Sequence, residues 1–183
     1  MSLDTIREQI PDYARDLKLN LGSVLTPQGA PGLSERQIAT LALATAIASR
    51  NSQLTQAIEA WARPQLDDAH VNASRAAAAI MGMNNIYYRF LHLVEEKEYQ
   101  TMPARLRMNI IGNPGIDKLD FELLSLAVSA VNGCGMCLTA HERKLREGGV
   151  GRESIQSAVR IASVIHAVAG VLEYAEERLA VGS

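Results

Sequence analysis

The chain has 183 residues, 48% of them hydrophobic, and a formal net charge of −2. That length suits one domain with a sizeable core, and that composition excludes a disordered chain. The charges are mixed with no basic stripe, residues 1–16 hold no apolar signal-peptide run, and no window approaches about 18 uninterrupted apolar residues. A cytoplasmic chain with no nucleic-acid or membrane partner is therefore expected.

The segments read as helix after helix, which makes the expected class all-α. Aromatics are only 4%, and alternating β-branched runs are scarce. A first helix is expected over residues 3–19, bent or broken at Pro11. Residues 27–32 carry the turn chemistry of a loop. Ser34 with Gln37 forms a capping-box start for an alanine- and leucine-rich helix over 38–49. A further helix fits 54–62, before Pro64. The stretch 71–97 is helical, with Gly82 a candidate kink. Met102-Pro103 and the turn Asn113-Pro114-Gly115 mark the central connection. Asp117 then caps a helix over 118–131. Asn132-Gly133 interrupts it, a new helix over 134–146 stops at Gly148-Gly149, and the last helix spans 152–179. Residues 41–58 resemble 122–139 at a shift of 81, which pairs Ala46 with Ala127 and Asn51 with Asn132. The first copy of this faint repeat has no cysteines.

The chain has two cysteines, Cys134 and Cys137. A structural disulfide is a poor explanation in a reducing cytosol, and it would close a loop too small to stabilise much. Successive helical residues rotate by about 100°. Cys134, Cys137 and His141, at i, i+3 and i+7, therefore share one helical face. The break at Asn132-Gly133 sets the pair in the first turn of a helix, where free N–H groups stabilise a thiolate. A thiol pKa can fall there from about 8.5 to about 7 or below. Such a thiolate attacks a peroxide to give a sulfenic acid. The second cysteine condenses with that acid to a disulfide, which an external dithiol reduces. Spacing leaves the attacking sulfur open: the dipole favours Cys134, and the neighbouring base His141 favours Cys137. Glu122 is a candidate to orient His141 or take its proton, the usual role of a carboxylate behind a base, although spacing across the helix break does not fix its distance from the cysteines.

Other residues read more plainly. Cys134, Cys137 and His141 fall short of the four ligands of a structural zinc, so no metal is expected, and a zinc-binding interaction module stands only as an alternative. His166 reads as a core residue on the apolar face of the last helix. His70 and His92 read as surface positions without partners. Met81 and Met83 read as core fillers, and Arg105 and Arg107 as a solvated pair.

Residues 121–134, FELLSLAVSAVNGC, followed by Cys137 and His141, resemble the alkyl hydroperoxidase D (AhpD) family. That family lies within the carboxymuconolactone-decarboxylase-like superfamily. Residues 80–89 (IMGMNNIYYR), 106–111 (LRMNII) with 113–116 (NPGI), and 11–14 (PDYA) with 16–21 (DLKLNL) resemble it too, so the likeness covers nearly the whole chain. The resemblance implies a single all-helical domain over 1–183, made of two similar halves. These would span about 1–100, without cysteines, and about 101–183, with the CxxC site, and the chain would assemble as a homotrimer. It implies a thiol peroxidase acting on organic hydroperoxides with no bound cofactor, which also regenerates an AhpC-type peroxiredoxin. Electrons would come from a dihydrolipoyl-bearing acyltransferase served by lipoamide dehydrogenase. By position, Cys137 would be the attacking thiol, Cys134 the resolving thiol and proton donor, and His141 with Glu122 the proton relay. Some members carry a histidine between the cysteines, where this chain has Met136. The superfamily's decarboxylases of lactone acids generally lack the paired cysteines.

Overall fold

The computed structural model describes the backbone of residues 2–181 and side chains as far as Tyr174. Helices account for all the regular structure among the described residues.

Pro11 ends α1 (Leu3–Gln9), and the chain resumes through a short 3₁₀ turn, Asp12–Ala14, into α2 (Arg15–Val24). Ser34 and Gln37 cap α3 (Glu35–Ser49) reciprocally: Gln37 N–H donates to Ser34 Oγ at 3.2 Å, and Ser34 N–H donates to Gln37 Oε1 at 2.9 Å. Every residue from Ile38 to Ala46 is buried. A helix that is apolar all round belongs at the centre of a fold. Accordingly α3 is wrapped by α4 (Ser52–Ala62), α5 (Asp68–Leu93), α7 (Lys118–Val131) and α9 (Arg152–Val181). The second central helix is α7, whose Phe121 and residues 123–129 are buried.

Several boundaries depart from the expectations. α5 runs unbroken through Gly82 and stops at Leu93, where Val94 turns extended. Residues 97–100 form a 3₁₀ turn instead of a last helical turn, and a one-turn helix α6 (Asn109–Gly112) was not anticipated. The segment Arg152–Tyr174 contains a window with mean hydropathy 1.6, long and apolar enough to cross a membrane by length and composition. It is not an uninterrupted apolar run, because Arg160 and several polar residues break it. Its apolar side chains, Ile155, Ile161, Ile165, Val168 and Leu172 among them, are spent in the core against α2, α3 and α7.

The site is positioned by α7, α8 (Gly135–Glu147) and the break between them. Asn132 caps α7, Gly133 takes φ +68, and Cys134 is extended. Only Cys137, His141 and Leu145 of α8 are buried, at i, i+4 and i+8 on the face turned to α7.

Candidate active site

Cys134 is the N-cap of α8 and not a residue of its first turn, because the helix starts at Gly135. Its Sγ accepts the N–H of Cys137 at 3.3 Å. The two cysteines are joined by a disulfide across a Cα–Cα distance of 5.3 Å. Cys134 is fully buried and Cys137 is 7% exposed, so of the two Cys137 is the one open to solvent.

His141 follows Cys137 by one helical turn. Its Nδ1 lies 2.5 Å from Glu122 Oε2. A carboxylate accepts, so Nδ1 carries the proton and Nε2 is left as the basic nitrogen. The other oxygen, Glu122 Oε1, accepts from Lys144 Nζ at 2.8 Å. Burial alone would push the Glu122 carboxyl up. The hydrogen bonds from His141 and Lys144 outweigh it and hold Glu122 below its ordinary value of 4.5. Glu122 is therefore an ionised carboxylate between a buried imidazole and a half-exposed ammonium.

The fold thus brings Cys134, Cys137, His141 and Glu122 into one cluster. Lys144 belongs to it and was not singled out from the sequence. Its spacing carried the signal, since Cys137, His141 and Lys144 stand at i, i+4 and i+7. Among the described residues no group of three metal-binding side chains is assembled, and both sulfurs are bonded to each other.

Two histidines sit elsewhere than expected. His166 is exposed and not in the core, with Nδ1 3.3 Å from Ser49 Oγ. It lies one position past Ile165, off the buried stripe, which continues at Val168, Ala169 and Leu172. His70 is not without a partner: Nδ1 lies 2.7 Å from Asp67 Oδ1, at i−3 on the first turn of α5. Arg105 and Arg107 are exposed and Met81 is buried, as read, whereas Met83 is only half-buried.

The carboxymuconolactone decarboxylase family profile matches residues 97–177, the part that holds the cysteines. The chain is 56% identical over 173 residues to an alkyl hydroperoxide reductase AhpD of Gluconacetobacter diazotrophicus, covering 94% of this chain and 93% of that protein. It is 56% identical to an AhpD of Rhodospirillum centenum, covering 94% and 91%. It is 53% identical over 181 residues to an AhpD of Brucella anthropi, covering 96% and 99%.

Proposed function

The chain belongs to the alkyl hydroperoxide reductase AhpD family, and from that premise we propose that it is a lipoyl-linked thiol peroxidase for organic hydroperoxides. The observation that carries this reading is the closed Cys134–Cys137 pair at the start of α8, with His141 and Glu122 behind it. A pair that closes without a second partner is built for two-electron chemistry.

In the reduced enzyme, His141 Nε2 takes the proton of Cys137. The thiolate attacks the outer peroxide oxygen, the O–O bond breaks, and the alkoxide leaves as an alcohol after protonation. Cys137 is then a sulfenic acid. Cys134 gives up its proton, its sulfur bonds to Cys137, and water departs. A dihydrolipoyl dithiol attacks the disulfide and leaves as lipoyl disulfide, which returns both thiols. Cys137 fits the first role because it is the more exposed sulfur and has the base one turn away. Cys134 fits the second because it is buried and already fixed as the helix cap. Glu122 holds His141 in the tautomer that leaves Nε2 basic and balances the imidazolium. Lys144 links that relay to solvent.

The same dithiol can pass electrons to an AhpC-type peroxiredoxin, with a dihydrolipoyl acyltransferase and lipoamide dehydrogenase upstream. A dithiol that must be rereduced suits a cytoplasmic enzyme. An exposed apolar stripe on α5, Ile86, Phe90 and Leu93 at i, i+4 and i+7, is surface for self-association, and the family likeness makes the assembly a homotrimer. Met136 between the cysteines supplies no proton, so the relay rests on His141 and Glu122. Decarboxylation of a lactone acid needs no external oxidant or reductant and would leave the closed pair without a use.

The test is alkyl hydroperoxide turnover with dihydrolipoamide, lipoamide dehydrogenase and NADH. The wild type turns over, and His141→Gln falls by about a hundredfold or more, the scale of a lost general base. Lys144→Met falls no more than about fivefold, because an exposed ion pair is worth at most about 1 kcal/mol. A wild type inert toward peroxide, or a His141→Gln variant at full rate, sinks the reading.

A further inference from the structure

The turn that carries the cysteines is held by polar groups that the redox steps do not use. Asn85 and Ser129 are completely buried. Buried amides and hydroxyls destabilise a fold unless hydrogen-bonded. Here the partners all lie at the break before Cys134. Asn85 Nδ2, on α5, donates to Ser129 Oγ on α7 at 2.8 Å. Asn132 Nδ2 donates to Asn85 Oδ1 at 2.9 Å. One turn further along α5, Arg89 Nη1 donates to the carbonyl of Asn132 at 2.8 Å. The N–H of Cys134 donates to the carbonyl of Ser129 at 3.1 Å. Between them stands Gly133 with φ +68, a conformation other residues adopt only under strain. Helix α5 therefore grips residue 132 by side chain and by main chain, and Ser129 is held from both directions.

We propose that Asn85, Arg89, Ser129 and Asn132 form a positioning clamp that keeps the Cys134 main chain in one place in both the dithiol and the disulfide states. The clamp thereby sets how readily the pair closes. This rests on the reading of Cys134 and Cys137 as a working dithiol. Closing a disulfide costs the freedom of the segment between its sulfurs. A free turn hinged at Gly133 would let Cys134 leave its cap position in the reduced state and dilute it with respect to Cys137. A clamped turn has met that cost during folding and keeps the effective concentration of one thiol at the other high. Closure itself removes one hydrogen from each thiol and passes two electrons to an external disulfide, which leaves as two thiols.

The test equilibrates the whole protein with mixtures of reduced and oxidised glutathione and counts free thiols after alkylation. Asn132→Ala lowers the equilibrium constant for closure about tenfold, which corresponds to ~30 mV for this couple. Arg89→Met, a change at an exposed side chain, lowers it about threefold, and Arg89→Lys, which keeps a donor, recovers part of the loss. Arg75→Met serves as control: Arg75 is an exposed arginine of the same helix, bonded to Glu59 and not to the turn. It stays at the wild-type value. Circular dichroism reports folding, and Arg89→Met decides the matter if Asn132→Ala does not fold. The clamp is overturned if the folded variants close within about twofold of wild type, since a tenfold change is what ~30 mV requires. Because this readout uses no peroxide, failure of the peroxidase reading would show separately, in the turnover assay.

Discussion

Glu122 is the residue on which the site depends, because it accepts from His141 and from Lys144 at once. Its carboxyl is held below 4.5 in the folded chain. A carboxylate with a depressed folded pKa stabilises the fold fully above its unfolded value, and that contribution is lost as pH falls through the folded value. Glu122→Gln should therefore be less stable than wild type at neutral pH, with the difference shrinking as pH drops below 4.5. Urea unfolding at a series of pH values measures this, and a difference independent of pH would contradict it. The i, i+4 spacing made Cys137 and His141 legible as one face of a helix, whereas Cys134, read as part of that face, is the extended cap before it. The Glu122–His141 contact was not legible from spacing, because the chain between them reverses through Gly133 and the outcome depends on how α7 packs on α8. His166 was misplaced by a single helical position, which at 100° per residue is enough to move a side chain from core to solvent.

At the scale of elements, caps and breakers carried most of the information. Ser34 with Gln37, Asp117 before α7 and Pro11 between the first helices all act locally, through hydrogen bonds or steric clashes within a few residues, and each boundary fell where those residues stand. Ser34→Ala removes the side-chain half of the capping box and should cost about 1 kcal/mol in chemical unfolding without changing turnover. A loss below about 0.3 kcal/mol would mean that packing of α3 makes the cap redundant. The end of α5 was misjudged because Glu95, Glu96 and Lys97 have ordinary helix propensities, whereas the chain turns extended at Val94 and folds back so that Gln100 Nε2 donates to the Leu91 carbonyl at 3.1 Å. The one-turn α6 has too few residues to show a period. The positioning role of Asn85 and Asn132 was invisible for the same reason as the Glu122 contact: their partners lie on other helices.

For the whole molecule, the helix starts repeat at a spacing of 83 and not 81. Ser34 and Asp117 cap the two central helices, Arg50 and Gly133 take positive φ, and Asn51 and Cys134 cap the helices that follow. This correspondence supports the proposal of two similar helical halves. In it Ala39, Leu54 and Ile58 occupy the places of Glu122, Cys137 and His141, so the first half keeps the frame without the chemistry. The all-α class was readable from composition and period, whereas the membrane-length window in α9 needed the packed core to be understood. Assembly belongs to this scale as well. Light scattering should give about three times the 19.8 kDa chain mass, and Leu93→Lys in the exposed α5 stripe should reduce it. A monomer at all concentrations would remove the stripe's proposed role.

The most direct test of the central claim is to treat the reduced protein with one equivalent of cumene hydroperoxide and follow it by mass spectrometry of its peptides. The expected result is loss of two hydrogens from the peptide that joins Cys134 to Cys137, and in Cys134→Ser a sulfenic acid on Cys137 that a dimedone-type reagent traps. A dithiol that survives the peroxide unchanged, or a sulfenic acid trapped on Cys134 in Cys137→Ser but never on Cys137, would contradict it.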